Sequence, residues 1–359
     1  GFEKQIIDSA DDYCNAMISV NNKFLYLAGY TIGNSGDKNF MLMKMDLDGN
    51  LIWKKEYGIA LLPDECFSIK LINDNQLLLA GMSTVKLSGD ENMMLVKTDL
   101  DGNLIWQKGF GTPANDVAAD VVELPNKNLF IAGNSRDFDS GTRSVYWVIT
   151  DADGNFLYQN HIGTSLEDGG TKVILDKNNL PVMLAWTDSG LIGARDFWMI
   201  ACNDTGAIRW QKQWGHAYYE QAGGFYLMPD GGYFLTGHSS SFTDPQHDMY
   251  EARMNDTGKV VWYQHYGGSM HDGAEAAYVS SNNHLLMLGR TMSFGNGGND
   301  FYFINTDGNG NLIQSKTFGT ADEEEGRAIT EAGDYYFLAG VAYQTGNNHK
   351  VYLVRLNAE

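Results

Sequence analysis

The sequence is short of proline, cysteine and positive charge, and each shortage removes a class of protein. No apolar run approaches the roughly 18 residues that a helical membrane span requires, so no transmembrane segment is expected in this chain. The three cysteines, Cys14, Cys66 and Cys202, are odd in number and form no CxxC or His-Cys spacing, which offers neither a disulfide framework nor a zinc site. Cys14 and Cys66 share one repeat position with Ala118, Gly170, Ala222, Ala274 and Ala328, and are read as small core residues. Only 25 Lys and Arg stand against 45 Asp and Glu, a formal charge of −20. Such a surface repels nucleic acid and anionic lipid, so no nucleic-acid partner is expected. Also missing are a Gly-x-Ser-x-Gly elbow, a His-Glu-x-x-His pair, a P-loop and a Ser-x-Asp-x-Gly-x-Thr-Trp box. The chain opens Gly1-Phe2-Glu3-Lys4 without an initiator methionine, and the reading expects that a segment was removed upstream.

What is plentiful is glycine, 41 residues against 6 prolines, and it is periodic. The hairpin segment Asp46-Leu-Asp-Gly-Asn-Leu-Ile-Trp53 returns at 99–106, 151–158, 203–210, 255–262 and 307–314. Its glycines are Gly49, Gly102, Gly154, Gly206, Gly258 and Gly310, spaced by 53 and then by 52 four times. A second glycine marker recurs at Gly58, Gly111, Gly163, Gly215, Gly267 and Gly319. A third, Ala-Gly or a variant of it, occurs seven times: Ala28-Gly29, Ala80-Gly81, Ala132-Gly133, Ala185-Trp186, Thr236-Gly237, Leu288-Gly289 and Ala339-Gly340. Each unit contains four short alternating segments of strand character and none of helical period. Asp-x-Asp-Gly-Asn between the third and fourth segments fits a type I turn followed by a left-handed glycine.

Six hairpins against seven units is itself informative. The last unit stops at Asn357-Ala358-Glu359, where its turn and fourth strand would follow, while Phe2 to Ile7 align with Trp53 to Gly58. The N-terminal segment is therefore expected to supply the outermost strand of the C-terminal unit and close a ring. The predicted fold is all-β: one seven-bladed β-propeller over 1–359, with units near 8–58, 59–111, 112–163, 164–215, 216–267, 268–319, and 320–359 plus 1–7.

These units resemble extracytoplasmic bacterial β-propeller repeat proteins, a likeness carried by the inner-strand acid, the Ala-Gly strand end and the Asp-x-x-Gly-Asn-x-x-Trp hairpin over the whole chain. The hairpin alone, as in Asn255-Asp-Thr-Gly-Lys-Val-Val-Trp262, is also similar to the tryptophan-docking motif of quinoprotein-like propellers and of the outer-membrane-assembly scaffold propeller. Tyr158 and Gln314 depart from that motif, and no residues match a quinone site, so no cofactor is expected. The first resemblance implies export from the cytoplasm, as a secreted, periplasmic or surface-anchored protein.

Oxygen-rich Asp-x-Asp-Gly-Asn turns suggest calcium at first sight. They lack the bidentate Glu that closes an EF-hand loop and are read as hairpin turns, so no metal is expected. One acid opens each inner strand: Asp12, Asp64, Asp116, Asp168, Glu220, Asp272 and Glu325. In a closed ring they would gather at one channel mouth, either to hold a cation or, as their presence in every unit favours, to accept backbone N–H bonds from neighbouring loops.

A ligand lacks sevenfold symmetry, so binding residues are sought where the repeat breaks. The breaks are Trp186, read as replacing glycine, with His216, Tyr218, Tyr219, His238, His271, Arg290 and Arg327, and Arg136 and Arg195 nearby. Aromatic planes with Arg and His suit a carbohydrate, carboxylate or peptide side chain. The leading reading is a monomeric, non-catalytic binding or scaffold propeller that recognises a carbohydrate, peptide or partner protein on one ring face. The alternative is a glycan-active hydrolase or lyase at the channel mouth, drawing on His216, His271, Asp272 and Arg290.

Overall fold

Alternating segments joined by tight glycine turns can only pair with their sequence neighbours. The computed structural model shows that pairing, and it describes every residue except 7–9, 34–35, 60–61, 85–89, 137, 139–140, 190–193, 244–245, 345–347 and 359. Seven antiparallel sheets of four strands form, each meandering from an inner strand outward. The inner strands touch in sequence around a ring, and Glu323–Ala332 of the seventh blade meets Asp11–Val20 of the first. The protein is thus a seven-bladed β-propeller, with blades at 11–57, 64–110, 116–162, 168–214, 220–266 and 272–318, and the seventh at 323–357 plus 2–6.

The N-terminal strand Phe2–Ile6 runs antiparallel to Lys350–Asn357, with Phe2 opposite Arg355 and Ile6 opposite Val351. Ile7, the last residue assigned to this closing strand from sequence, lies outside the described residues. Phe2 also takes over the work of the repeat tryptophan. A Cβ placed on the turn glycine Gly102 would lie 2.7 Å from the Trp53 ring, and one on Gly49 would lie 2.7 Å from the Phe2 ring. A ring from the outer strand of the preceding blade packs five of the six turn glycines in this way, and only glycine leaves room for it.

The turn chemistry agrees with the sequence. Asp46 accepts N–H bonds from Asp48 at 3.0 Å and Asn50 at 2.8 Å, Gly49 N–H reaches Asp46 O at 3.1 Å, and Gly49 has φ 73°. The two exceptions to the tryptophan pattern have physical reasons. Gln314 precedes the one blade that has no third-to-fourth-strand hairpin, so there is no turn glycine for a tryptophan to cover. Tyr158 is 49% exposed, and Trp147 from the neighbouring strand covers the next turn instead, donating from Nε1 to Gly206 O at 3.1 Å.

Second and third strands are buried between blades, and the apolar core divides into clusters at the seams. Val122, Phe130, Trp147, Val173, Met183 and Ile200, for example, join blades three and four. Cys14, Cys66 and Cys202 are buried and unbridged, and burial pushes the Cys14 thiol up to about 12.

Candidate functional site

The site begins with a defect repeated in every inner strand. Each ladder between first and second strands skips a residue: Asn15, Phe67, Ala119, Thr171, Glu275 and Arg327 stand unpaired in six blades. Blade five skips two, Gly223 and Gly224. A β-bulge turns the extra residue away from the alternation. Here it turns into the central channel, where Asn15, Phe67, Ala119, Thr171, Gly223, Glu275 and Arg327 all line one chamber of about 420 Å³. The bulge also explains the third glycine marker, since a Cβ on Gly29 would lie 1.7 Å from Tyr13 O on the bulged strand.

Register corrects two sequence assignments. Opposite Gly170 stands Ala185, so Ala185 occupies the Gly29 position and Trp186 comes one residue later, level with Tyr30, Asn134, His238 and Arg290. The indole fills space left by Gly169, whose Cβ would lie 2.8 Å from it, and Trp186 is only 6% exposed. In the seventh blade the acid at the start of the inner strand is Glu324, not Glu325. Glu324 is buried and accepts the Thr320 N–H at 3.0 Å, as Asp116 does from Thr112 and Asp168 from Thr164. A slip of one residue reverses the face of a strand, and Glu325 accordingly enters the channel chamber.

The acidic ring, so corrected, is buried and turned into the loops. Asp64, Glu220 and Asp272 accept backbone N–H bonds from Ile59, His216 and Gly268, while Asp12 pairs with Lys54 at 2.6 Å. Neither channel chamber has any of these acids in its lining.

Two polar networks frame the mouth. In the first, Arg290 donates to Glu325 at 2.7 Å, and Arg327 donates to Glu325 at 2.8 Å and to Asn15 at 2.8 Å. Two guanidinium groups overcome the burial that would raise the Glu325 carboxyl and hold it below the usual range. In the second, Arg195 lies 3.5 Å from the Trp186 ring centre, pairs with Asp188 at 2.6 Å, and donates to Tyr219 at 2.8 Å and Gln221 at 2.7 Å. Arg136 pairs with Glu167 at 2.9 Å. His238 sits beside Tyr219 and His247, with ring centres at 6.2 and 5.1 Å. Burial first, then the charges of His247 and Arg290, pushes its pKa down to about 3, so it is a neutral imidazole at physiological pH.

Of the eight residues singled out from sequence, Trp186, Arg290 and Arg327 line the chamber, and Tyr219 and His238 stand beside it through the Arg195 network. His271 is exposed and meets His247 at 5.2 Å. His216 and Tyr218 do not join them. The His216 ring packs on Tyr250 and Tyr263 of the third and outer strands of blade five, and Tyr218 is 55% exposed.

The residues that sequence reasoning missed lie deeper. Lys172 and Glu275 line both this chamber and a second one of about 370 Å³ below it, so they stand at a waist between the two. Burial raises the Glu275 carboxyl, so it keeps its proton to higher pH than a surface glutamate; burial also lowers the Lys172 ammonium. Glu275 is the third residue after its inner acid, the bulge position, and Lys172 is the fourth after Asp168, directly following the bulge residue Thr171. Strict alternation hid them, because the bulge adds one residue.

Fold and chamber together define a propeller with a polar, ligand-sized cavity on its axis. No protein-family model and no curated protein matches the chain. Solved structures do. The chain is similar to puromycin hydrolase with a TM-score of 0.60 at 14% identity, over 97% of this chain and 52% of that one. It thus spans about half the length of that enzyme. It is also similar to polysaccharide lyase Uly1, TM-score 0.58 at 9% identity, over 96% and 90% of the two chains. A third likeness is to the β-propeller domain of the trilobed protease from Pyrococcus furiosus, TM-score 0.53 at 10% identity, over 98% and 95%. At such identities the shared property is the fold.

Proposed function

We propose that this protein is a binding propeller that takes the end of a polar chain, a glycan in the first instance, into the upper channel chamber. One observation carries the reading. All seven bulge positions face that chamber, yet they carry seven different residues, whereas positions that serve the blades repeat. Asn15, Asn134, Thr171 and Gln221 with Arg290 and Arg327 supply the mixed donors and acceptors that hydroxyl-rich ligands need, and about 420 Å³ suits one or two sugar rings. Trp186 acts through packing: it holds the Arg195 network in place rather than offering a free face. The resemblance of the repeats supports a location outside the cytoplasm for this binding.

The test is a glycan and peptide array probed with wild type, Gln221→Ala and Arg290→Ala. Binding to a glycan subset by wild type, reduced about tenfold or more in both variants, is the expected result, since one or two lost charged or polar contacts are worth about 1.5–3 kcal/mol. Equal binding by all three proteins overturns the chamber as the site.

The enzyme reading retains one supporting observation, a glutamate inside the chamber, Glu275, whose carboxyl burial raises above the ordinary range. Release of new reducing ends or unsaturated products from a polysaccharide panel, abolished in Glu275→Gln, would select it over simple binding.

A further inference from the structure

Most lysines that the structure describes near acids are held by them. Lys127 and Lys177 bond to Asp74 and Asp256 on the surface, and these partners raise both ammonium groups above the ordinary lysine range. Lys54 pairs with Asp12 at 2.6 Å and Lys70 with Asp120 at 3.1 Å.

Lys172 differs. It stands at the waist of the channel, and among the described residues it has no hydrogen-bond or ion-pair partner. Asp120 acts on it electrostatically but is already committed: Lys70 Nζ and the Val173 N–H lie 3.1 Å from its Oδ2, and the Ser68 hydroxyl binds Oδ1. Lys172 is half-buried at the junction of the two chambers and has no dedicated counter-ion. Burial pulls it toward the neutral amine and the Lys70 charge adds to the pull, against the opposing charges of Asp120 and Glu275. Between Lys172 in blade four and Glu275 in blade six, blade five has Gly223 and Gly224 at its bulge, flanked by Gln221 and Ala222 on the wall of one chamber and by Phe225 and Tyr226 on the wall of the other. A Cβ on Gly223 would lie 2.3 Å from Ala274 O, so the close approach of the blade-six backbone requires glycine there.

An amine with no ion-pair partner, a carboxyl on the same chamber wall and space for a small ligand between them are the parts needed for carbonyl condensation. We propose that Lys172 is a carbonyl-reactive amine that condenses with a small hydroxy-aldehyde, or with the open-chain form of a reducing sugar, entering from the channel mouth, with Glu275 as proton donor. The Lys172 nitrogen lone pair forms the new C–N bond as the carbonyl π pair moves to oxygen, and an amine proton passes to that oxygen to give the neutral carbinolamine. Glu275 then protonates the hydroxyl, the C–O bond breaks with release of water, and the nitrogen lone pair completes an iminium whose charge the Glu275 carboxylate balances. The chamber is the one described above, but the inference does not depend on which glycan binds there.

The test treats the whole protein with glycolaldehyde and sodium cyanoborohydride at neutral pH, which traps the iminium as a secondary amine, and maps modified lysines by peptide mass spectrometry over time. Lys172 is expected to label about tenfold faster than Lys127 and Lys177, because Asp74 and Asp256 hold those two as ammonium ions while Lys172 has no such partner. Glu275→Gln should slow labelling at Lys172 and leave the surface lysines unchanged. Labelling of Lys172 no faster than those two surface lysines in folded wild-type protein overturns the proposal, and an unchanged rate in Glu275→Gln overturns the assignment of the proton donor. Because the site is mapped in wild type, the result stands even if Lys172→Met fails to fold. Glycan binding without selective labelling would leave the proposed function intact and remove only this inference.

Discussion

The outer rim and the channel wall of this propeller are built from the same seven units, yet they obey opposite rules. At the rim, Trp53, Trp106, Trp210 and Trp262 repeat one contact, each covering the turn glycine of the next blade, and Phe2 repeats it across the chain ends. On the channel wall the bulge position is Asn15, Phe67, Ala119, Thr171, Gly223, Glu275 and Arg327, with nothing repeated. A contact that holds neighbouring blades together faces the same problem at six turns and solves it with an aromatic ring at each, from the outer strand at five of them. A surface that meets a ligand faces one problem once. The difference teaches where to look in a pseudo-symmetric ring: repeated residues report on stability and unrepeated ones on recognition.

The comparison breaks most visibly at the closure. Deleting residues 1–7 removes the strand that pairs with Lys350–Asn357 and uncovers Gly49. The expected result is a loss of several kcal/mol and a fall in Tm of roughly 10 °C by calorimetry. An unchanged melt would show that the ring does not depend on its non-covalent seam.

Next come two substitutions at one repeat position. Trp106→Ala empties a contact with Gly154 and should cost about 3 kcal/mol in urea denaturation. Tyr158→Ala removes an exposed side chain and should cost less than about 1 kcal/mol, because Trp147 does its work. Equal costs would mean that the motif position, rather than the contact, carries the stability.

A somewhat smaller effect is expected at the seam between blades five and six. Glu251 is buried, accepts bonds from Tyr266 at 3.0 Å and Thr306 at 3.3 Å, and burial pushes its carboxyl from 4.5 up to about 7. The folded state therefore keeps a proton that the unfolded chain releases above its own lower pKa. Stability should fall as pH rises from about 4.5 to 7 and then stay at the lower level. Glu251→Gln should abolish that part of the slope and raise stability at pH 8 by on the order of 2–3 kcal/mol, read from paired denaturation curves across pH. A parallel pH slope in wild type and variant would locate the titration elsewhere. Smallest of all should be the effect on melting of Gln221→Ala and Arg290→Ala, the two variants expected to lose ligand.

Much of this was legible in the sequence, and the misses share a cause. The turn glycines, the strand order and the chain-end swap follow from spacing alone. Glu325 was taken in place of Glu324 in the acidic series, and Trp186 in place of Ala185 in the glycine series, each one residue too far along the chain. Both errors come from aligning motifs without the pairing partner, and in a strand one residue decides which face a side chain occupies. Glu275 escaped because it is the extra residue of a bulge, and Lys172 because it directly follows one; strict alternation assigns these two positions to opposite faces, yet both line the channel. His216 and Tyr218 were grouped with the mouth by loop position, although their side chains turn to the outer part of blade five or to solvent.

By itself the sequence determined the number of blades, the chemistry of the turns and the ring's closure, because each depends on contacts within a unit or between adjacent copies of it. Only the tertiary structure decided which residues meet in the channel. That meeting joins positions from seven blades and depends on a bulge in every inner strand, and neither the assembly nor the extra residue leaves a periodic trace.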